Sequence, residues 1–340
     1  MVAAIQTAEV RPAGLQVQLF DDQVFGELRA SAQVPDDFVN SGWDFGTLKP
    51  GGGKGGGLMA RVGDGYLVKE LSKGDHQVLL QIAGSYARHV RSGDTLICPI
   101  YLHFQDVASG RFFFAMRNSV GRGPFKALYD LKGCADDKLL ERDGCPLEAV
   151  HKRIWNVGMW CGQTGWSEKR KLYYEGKVEA RSVEIVMAKD QREAFLLTLQ
   201  RDTDWLAGHR LMDYSLLVGI KEEAGPKTAS GGLGPAALGH RPLTRQGEDG
   251  KDIVLLVSII DFLQLWTNGK KCARCCKSME WNKATIPPVP YARRFASHFA
   301  KRTLVATAEP EAGVLEVVNQ HLASVAPPAG DCDLEGLPEE

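Results

Sequence analysis

The run from Lys49 to Leu58, KPGGGKGGGL, places six glycines around Lys54 and constrains the fold more than any other stretch. Only glycine tolerates such backbone freedom, so the composition by itself fits a flexible linker. The next residues, 58–62 and 66–71, are short apolar runs around an Asp-Gly turn, which predicts a β-hairpin with Lys69 on its second strand. Glycines beside such a hairpin can also wrap a triphosphate while the lysine reaches its oxygens. A linker and a phosphate-binding loop are both open at this point.

The pattern of the glycines limits which phosphate loop this could be. Gly51, Gly53 and Gly56 fit GxGxxG, which is a weak signal when it stands alone. Lys54 is followed by Gly55 instead of Ser or Thr, and no helical pattern begins there. A Walker-type loop is therefore excluded.

Composition limits the functional classes. The 340 residues carry a formal net charge of −1, with 44% hydrophobic and 24% charged residues, as in an ordinary soluble globular protein. A near-neutral chain has no global attraction to nucleic acid, and none is expected as a partner. The eight cysteines are scattered and no apolar run is long enough to span a bilayer, so we expect free thiols in a reduced, cytoplasmic compartment.

Hydrophobic periodicity predicts a mixture of helices and strands. Helical spacing is found at 16–42, 74–92, 149–165 and 189–210. Strands are predicted at 97–104 and 111–117, and apolar runs bordered by breakers predict buried strands at 212–220 and 252–265. The segment 222–251 is rich in Gly, Pro, Ala and Ser and is predicted to be a disordered insertion. The tail 309–340 has eight acidic residues and no Lys or Arg, and we expect it to be largely flexible.

Three motifs resemble the signatures of the phosphatidylinositol phosphate kinase family. They are YDLKG at 129–133, LMDYSLLVGI at 211–220 and IIDFLQ at 259–264. The Lys270-Lys271 pair matches the dilysine of the family's activation segment, and YARRF at 291–295 agrees in order and spacing. The resemblance covers roughly residues 18–303, nearly the whole of the chain that we expect to be ordered.

This resemblance implies an α+β fold: two lobes built of antiparallel sheets with flanking helices, distantly similar to protein kinases. The implied organisation is an N-terminal extension (1–15), a catalytic domain (16–308) and the acidic tail (309–340). Within the catalytic domain the N-lobe would cover 16–125 and the C-lobe 126–308. The cofactors implied are ATP and Mg²⁺, and the substrate is a phosphatidylinositol monophosphate in an anionic membrane.

The resemblance also assigns roles to residues. Asp213 would be the catalytic-loop acid and Asp261 a magnesium ligand corresponding to the DFG acid of protein kinases, with Asp213 also near the metal. Lys69 and Lys132 would hold the ATP phosphates, with Asp130 nearby and the glycine loop (Gly51, Gly53, Lys54, Gly55, Gly56) around them. Such a site suits phosphoryl transfer, which depends on positioning and charge neutralisation. Taken singly, a strand-edge aspartate is more often a turn or cap residue, and without its flanking motif Lys132 would be interpreted as a solvated surface lysine in a turn.

The segment 268–302 is strongly basic, with nine Lys and Arg against Glu280 alone, a net charge of +8. Each basic residue near an anionic surface contributes about 1 kcal/mol of binding, so we expect peripheral docking on the cytosolic face of membranes. The residues expected to face substrate or membrane are Lys270, Lys271, Ala273, Arg274 and Lys277. In this family, Glu at the position of Ala273 accompanies action on the 4-phosphate and Ala accompanies action on the 5-phosphate, so Ala273 suggests a 5-phosphate 4-kinase.

Two departures from the family pattern leave an alternative open. After YDLKG the family has Ser and, four residues further, Arg; this chain has Cys134 and Lys138. Lysine loses the bidentate phosphate contact of arginine. A catalytically weak phosphoinositide-binding adaptor would tolerate both changes, and a soluble inositol phosphate kinase is a third reading. The sequence predicts no oligomeric state.

Overall fold

The computed structural model describes residues 16–35, 38, 49–50, 57–62, 65–150, 166–223, 242–246, 251–267, 269–270 and 284–306. Two six-stranded sheets form its framework, and every strand pairing within them is antiparallel. The α+β class with antiparallel sheets is thus confirmed.

The first sheet has the order β1-β5-β6-β4-β3-β2. Its strands are β1 (Val17–Leu19), β2 (Lys49–Pro50), β3 (Leu58–Val62), β4 (Tyr66–Leu71), β5 (Ile100–Asp106) and β6 (Phe112–Arg117). Helix α1 (Asp22–Ser31) and helix α2 (Lys73–Arg91) accompany it. Ser72 begins α2 by accepting a hydrogen bond from the Asp75 amide at 3.1 Å. Buried Leu79, Ile82 and Tyr86 lie at helical spacing on one side of α2, which explains how it packs.

The second sheet has the order β13-β14-β12-β7-β8-β9. Its strands are β7 (Ala127–Leu131), β8 (Lys138–Arg142), β9 (Cys145–Pro146), β12 (Ser215–Glu223), β13 (Leu243–Gln246) and β14 (Asp252–Ile260). Around it lie α3 (Glu168–Ser182), α4 (Lys189–Gly208) and α5 (Pro288–Arg302), with the small pairs β10 (Ile185–Met187) with β16 (Thr303–Val305) and β11 (Leu211–Met212) with β15 (Gln264–Leu265). Strand β14 lies between β12 and β13, and its residues from 254 to 259, all apolar except Ser258, are buried.

The two sheets are joined just before the end of β14. The amide of Cys98 donates to the carbonyl of Ile259 at 2.9 Å, and the amide of Ile259 donates to Leu96 at 2.6 Å. The side chain of Asp202 on α4 fixes the same connection by accepting from the Leu96 amide at 2.6 Å. The first sheet is therefore held against the strand that leads into Asp261.

The structure corrects several predictions. The helix predicted over 16–42 is a strand and a shorter helix, β1 and α1. The long strands at 212–220 and 252–265 are each broken at an aspartate, which the apolar pattern does not reveal. Strands β12 and β13 occupy parts of the segment 222–251, so the prediction of disorder is wrong at those positions. Most of the helix predicted at 149–165, and the whole of the tail 309–340, lie outside the described residues.

Candidate active site

Asp213 and Asp261 stand at matching breaks in two paired strands. Strands β12 and β14 pair with Ser215 opposite Ile260, and β11 and β15 pair with Met212 opposite Gln264. Two residues separate β11 from β12 and three separate β14 from β15, so both strands leave the ladder at the same place. At this break Asp213 has φ 66° and Asp261 has φ 58°. Left-handed backbone is uncommon outside glycine, although aspartate tolerates it better than most residues.

Lys69 reaches this break from the first sheet. It lies on β4, opposite Met59 of β3 and Phe114 of β6. Its Nζ donates a short hydrogen bond to Oδ1 of Asp261. The side chains are 32% and 43% exposed, so solvent screens the pair and it contributes little stability. Its placement is more informative than its energy, since the two residues are 192 positions apart.

Lys132 reaches the same break from the second sheet. Strand β7 pairs with β12 so that Leu131 lies opposite Leu216, which brings the next residue, Lys132, towards Asp213. Its Nζ donates to the backbone oxygen of Asp213 at 2.6 Å and to its carboxylate Oδ1. Burial lowers the pKa of Lys132, but the charges of Asp213, Asp130 and Asp261 outweigh burial and raise it above its usual value. The ammonium therefore stays charged among three carboxylates.

Asp130 pairs with Lys138, the residue that replaces the arginine of the family pattern. Oδ2 of Asp130 accepts from Nζ of Lys138 at 3.2 Å. Burial raises the pKa of Asp130, yet the ammonium groups of Lys138 and Lys132 outweigh that effect and hold it below its usual value. Asp130 therefore remains ionised, bonded to Lys138 and within the field of Lys132.

The turn after β7 fixes the backbone of Lys132. Gly133 has φ 66°, and a Cβ there would lie 3.1 Å from the Cβ of His298 on α5, so glycine is required for both reasons. Oδ1 of Asp137 accepts from the amides of Lys132 at 2.5 Å and Cys134 at 3.3 Å. Asp137 is fully buried, and burial raises its pKa to about 6. Cys134 is buried in the same turn.

The YARRF motif contributes a residue that sequence reasoning did not place in the site. The hydroxyl of Tyr291 donates to the backbone oxygen of Tyr214, the neighbour of Asp213. The rings of Tyr291 and Tyr214 meet edge to face with centroids 4.7 Å apart, and both are fully buried. Tyr291 therefore anchors the backbone at the strand break, and its motif was the signal that could have identified it.

The donor set suits a magnesium ion bound together with phosphates. Each aspartate uses Oδ1 for its lysine, which leaves the second carboxylate oxygen to face an ion. Within the described residues no group of three or more His, Cys, Asp or Glu could hold a metal. Mg²⁺ usually takes only one or two carboxylates, with phosphates and water completing its shell. The two aspartates thus fit this ion, and a dedicated protein cage is not needed.

Some predicted site residues lie outside the described residues. These are Gly51, Gly53, Lys54, Gly55 and Gly56 of the glycine loop, and Lys271, Ala273, Arg274 and Lys277 of the basic segment. Lys270 is described, and its Nζ donates to Oε1 of Gln264 at 3.1 Å. No helix in the described part of the chain has the length and apolar character needed to cross a bilayer.

Comparison with known proteins adds a family relationship. A family model described as Phosphatidylinositol-4-phosphate 5-Kinase matches residues 51–234 and 234–302. The phosphatidylinositol 5-phosphate 4-kinase type-2 gamma of Pongo abelii is 24% identical over 341 residues, covering 84% of this chain and 76% of the relative. The phosphatidylinositol 4-phosphate 5-kinase 5 of Arabidopsis thaliana is 24% identical over 309 residues, covering 73% of this chain and 37% of the relative. The 1-phosphatidylinositol 3-phosphate 5-kinase of Saccharomyces cerevisiae is 20% identical over 309 residues, covering 83% of this chain and 11% of the relative.

Proposed function

Because the chain belongs to the phosphatidylinositol phosphate kinase family, we propose that it transfers the γ-phosphoryl group of ATP to an inositol-ring hydroxyl of a phosphatidylinositol monophosphate. The observation that carries this proposal is the pair of lysine–aspartate contacts, Lys69 with Asp261 and Lys132 with Asp213, at one break between two strands. Four residues far apart in sequence supply two cations and two carboxylates to one place. This combination suits a triphosphate with its divalent ion.

Each residue has a role that follows from its charge and position. Lys69 and Lys132 neutralise phosphate oxygens, and their flexible stems let them move from carboxylate to phosphate when the nucleotide binds. Asp261 and Asp213 would hold Mg²⁺, which would supply positive charge to offset the charge that develops on the transferred phosphoryl group. Asp213 also orients the ring hydroxyl and accepts its proton. Asp130, ionised between Lys132 and Lys138, keeps both ammonium groups at the site.

The location of the reaction is part of the proposal. The first sheet and its helices would form the N-lobe (16–125) and the second sheet the C-lobe (126–308), with ATP between them, as in a distantly protein-kinase-like fold. The basic segment from Lys270 onward would dock the enzyme as a peripheral protein on the cytosolic face of an anionic membrane. A net charge of +8 over 268–302 supports this, since basic residues are drawn to anionic lipid.

The isomer of the substrate remains a more specific proposal. The names of the relatives span 5-phosphate 4-kinases, a 4-phosphate 5-kinase and a 3-phosphate 5-kinase. On the basis of Ala273 we propose the 5-phosphate as substrate. Ala273→Glu should shift the preference towards the 4-phosphate, and an unchanged preference would remove this inference.

The test is radiolabelled ATP with each of the three phosphatidylinositol monophosphates in vesicles, followed by identification of the product. Asp213→Asn and Asp261→Asn should each abolish turnover and leave the fold intact. Asp143→Asn is the matched control, because Asp143 also has positive φ, 48°, and pairs with a lysine, Lys126 at 3.0 Å. Full activity in either site variant would contradict its role.

A catalytically weak phosphoinositide-binding adaptor is the second candidate, favoured by Lys138 in place of arginine. It predicts vesicle binding without consumption of ATP. A soluble inositol phosphate kinase would instead show equal rates on a free headgroup and on a bilayer. The same assay, run with both forms of the substrate, separates the three.

A further inference from the structure

Gln264 lies next to the strand break that carries both aspartates of the proposed active site. It follows Asp261 by three residues and begins β15. In the short β11–β15 ladder it lies opposite Met212, the residue before Asp213. Its side chain therefore starts from the strand break itself.

The amide of Gln264 makes two contacts with distant charged residues. Nε2 donates to Oδ1 of Asp75 at 2.8 Å, and Oε1 accepts from Nζ of Lys270 at 3.1 Å. An amide suits this place because it alone among side chains of this length donates at one atom and accepts at another. Leucine would make neither bond, and glutamate would keep only the one to Lys270.

Asp75 connects this amide to the start of helix α2. Its Oδ2 accepts from the hydroxyl of Ser72 at 2.8 Å, while Ser72 caps the amide of Asp75. Burial raises the pKa of Asp75, the bond from Ser72 and the charge of Lys69 lower it in part, and the charge of Asp261 raises it again. Ser72 directly follows β4, the strand that carries Lys69, so the bond from Gln264 to Asp75 ties the start of α2 and the end of β4 to β15.

Lys270 is at the other end of the chain of contacts. It is the first of the nine basic residues of 268–302. Its ammonium group has three N–H donors, of which Gln264 takes one in this structure. An ammonium group with three donors can bind a lipid phosphate and Gln264 at the same time.

We propose that Gln264 is a positioning residue that couples the binding of anionic lipid at Lys270 to the geometry of Asp75 and the Lys69–Asp261 pair. This inference rests on the proposed function and adds a regulatory link to the same site. Lipid that holds Lys270 in place also restrains the side chain of Gln264. Through the bond from Gln264 to Asp75, it restrains the start of α2 as well. ATP then meets a better ordered Lys69 on an anionic surface than on a neutral one.

The test measures the dissociation constant of MgATP in the presence of vesicles of phosphatidylcholine alone, or with phosphatidylserine, which is anionic and is not a substrate. The wild type should bind MgATP about fivefold more tightly with phosphatidylserine, at the low end of known couplings between sites. Gln264→Leu should lose this difference while still sedimenting with the anionic vesicles. Gln200→Leu is the matched control, because Gln200 also donates to an aspartate, Asp204 at 2.9 Å, but on helix α4.

Exchanging the amide of Gln264 and the carboxylate of Asp75 distinguishes a loss of coupling from a variant that merely folds poorly. Gln264→Glu places two carboxylates together and should lose the difference between vesicles. In the double variant with Asp75→Asn, the amide at position 75 can donate to the carboxylate at position 264, which still accepts from Lys270. The double variant should therefore regain the difference in MgATP affinity between the two vesicles. Loss of the difference in the folded double variant, or its persistence in Gln264→Leu, would overturn the coupling.

Failure of the coupling and failure of the proposed function give different results. A wild type that phosphorylates a monophosphate but binds MgATP equally with both vesicles refutes the coupling alone. A wild type that phosphorylates none of the three monophosphates refutes the proposed function, and the coupling as argued here falls with it.

Discussion

Replacing Tyr291 by phenylalanine removes one oxygen atom and tests how the strand break is held. The hydroxyl donates to the backbone oxygen of Tyr214, and both residues are fully buried. Phenylalanine keeps the ring contacts with Tyr214 and Phe295, whose centroids lie 4.7 Å and 6.0 Å from that of Tyr291. The change therefore isolates a single hydrogen bond.

The expected loss of stability follows from the burial. The backbone oxygen of Tyr214 loses this donor in a site that water does not reach, and an unsatisfied buried acceptor costs about 1–3 kcal/mol. Urea denaturation should show a fall of that size in the free energy of unfolding, with the m-value unchanged.

The effect on activity follows from the position of the bond. Tyr214 is the neighbour of Asp213, whose left-handed backbone depends on its surroundings to persist. Released from Tyr291, the carboxylate of Asp213 should sample more orientations, and we expect kcat to fall about tenfold, since small misplacements of reacting groups are costly.

The control is Thr303→Val near the far end of α5. Thr303 also buries a hydroxyl that donates to a backbone oxygen, that of Phe299 at 2.7 Å. Thr303→Val should lower stability without lowering kcat when both variants are assayed well below their melting temperatures. Equal kcat in Tyr291→Phe and wild type would refute the view that this hydroxyl positions Asp213.

Three further predictions concern the turn after β7. Burial raises the pKa of Asp137 from 3.8 to about 6, so the folded state binds the proton more tightly, and stability is lost as pH rises through about 6. The wild type should lose about 2 kcal/mol between pH 4 and 7 through this group, and Asp137→Asn should lack that part of the slope in urea melts at each pH. Lys138→Arg should raise kcat/KM several-fold because a bidentate donor replaces a point charge, and a fall would show that lysine is preferred beside Asp130. Gly133→Ala should lower the free energy of unfolding by about 2 kcal/mol, through left-handed strain and the close approach of His298; an unchanged melting midpoint would contradict it.

The sequence predicts the strands of the site better than the interruptions of those strands at Asp213 and Asp261. The hairpin that carries Lys69 and the apolar runs behind Asp213 and Asp261 follow from alternation and from the Asp-Gly turn. The interruption at each aspartate does not, because residues 211–220 are apolar or aromatic apart from Asp213, Ser215 and Gly219. A polar residue within an apolar run can mark a β-bulge or the end of a strand. Which of these it marks depends on the partner strand, which is known only from the fold.

Helices α3 and α5 were missed for a different reason. Helix α3 is mostly polar, with Gly176 and Ala180 as its buried residues, so it carries no apolar stripe to recognise. Gly176 is needed because a Cβ would approach Leu147 and Leu139 within 3.2 Å. Helix α5 has a clear stripe through Tyr291, Phe295 and Phe299, but the motif YARRF alone does not indicate a helix. In both helices, the contacts that bury these residues come from distant parts of the chain, and the local sequence does not reveal them.

The two aspartates together explain why the site forms where it does. A continuous ladder through 213 and 261 would commit their backbones to strand pairing and turn successive side chains to opposite faces. The left-handed turn at both residues releases both strands at one level, so that the two carboxylates emerge at the same place. The strain of two such residues, of order 1–3 kcal/mol each, is offset by the surrounding anchors: Tyr291 on Tyr214, the Ile97–Ile259 bridge and Lys132 on Asp213. A site that depends on local strain therefore sits where the two sheets meet, because only there do enough fixed partners converge to hold it.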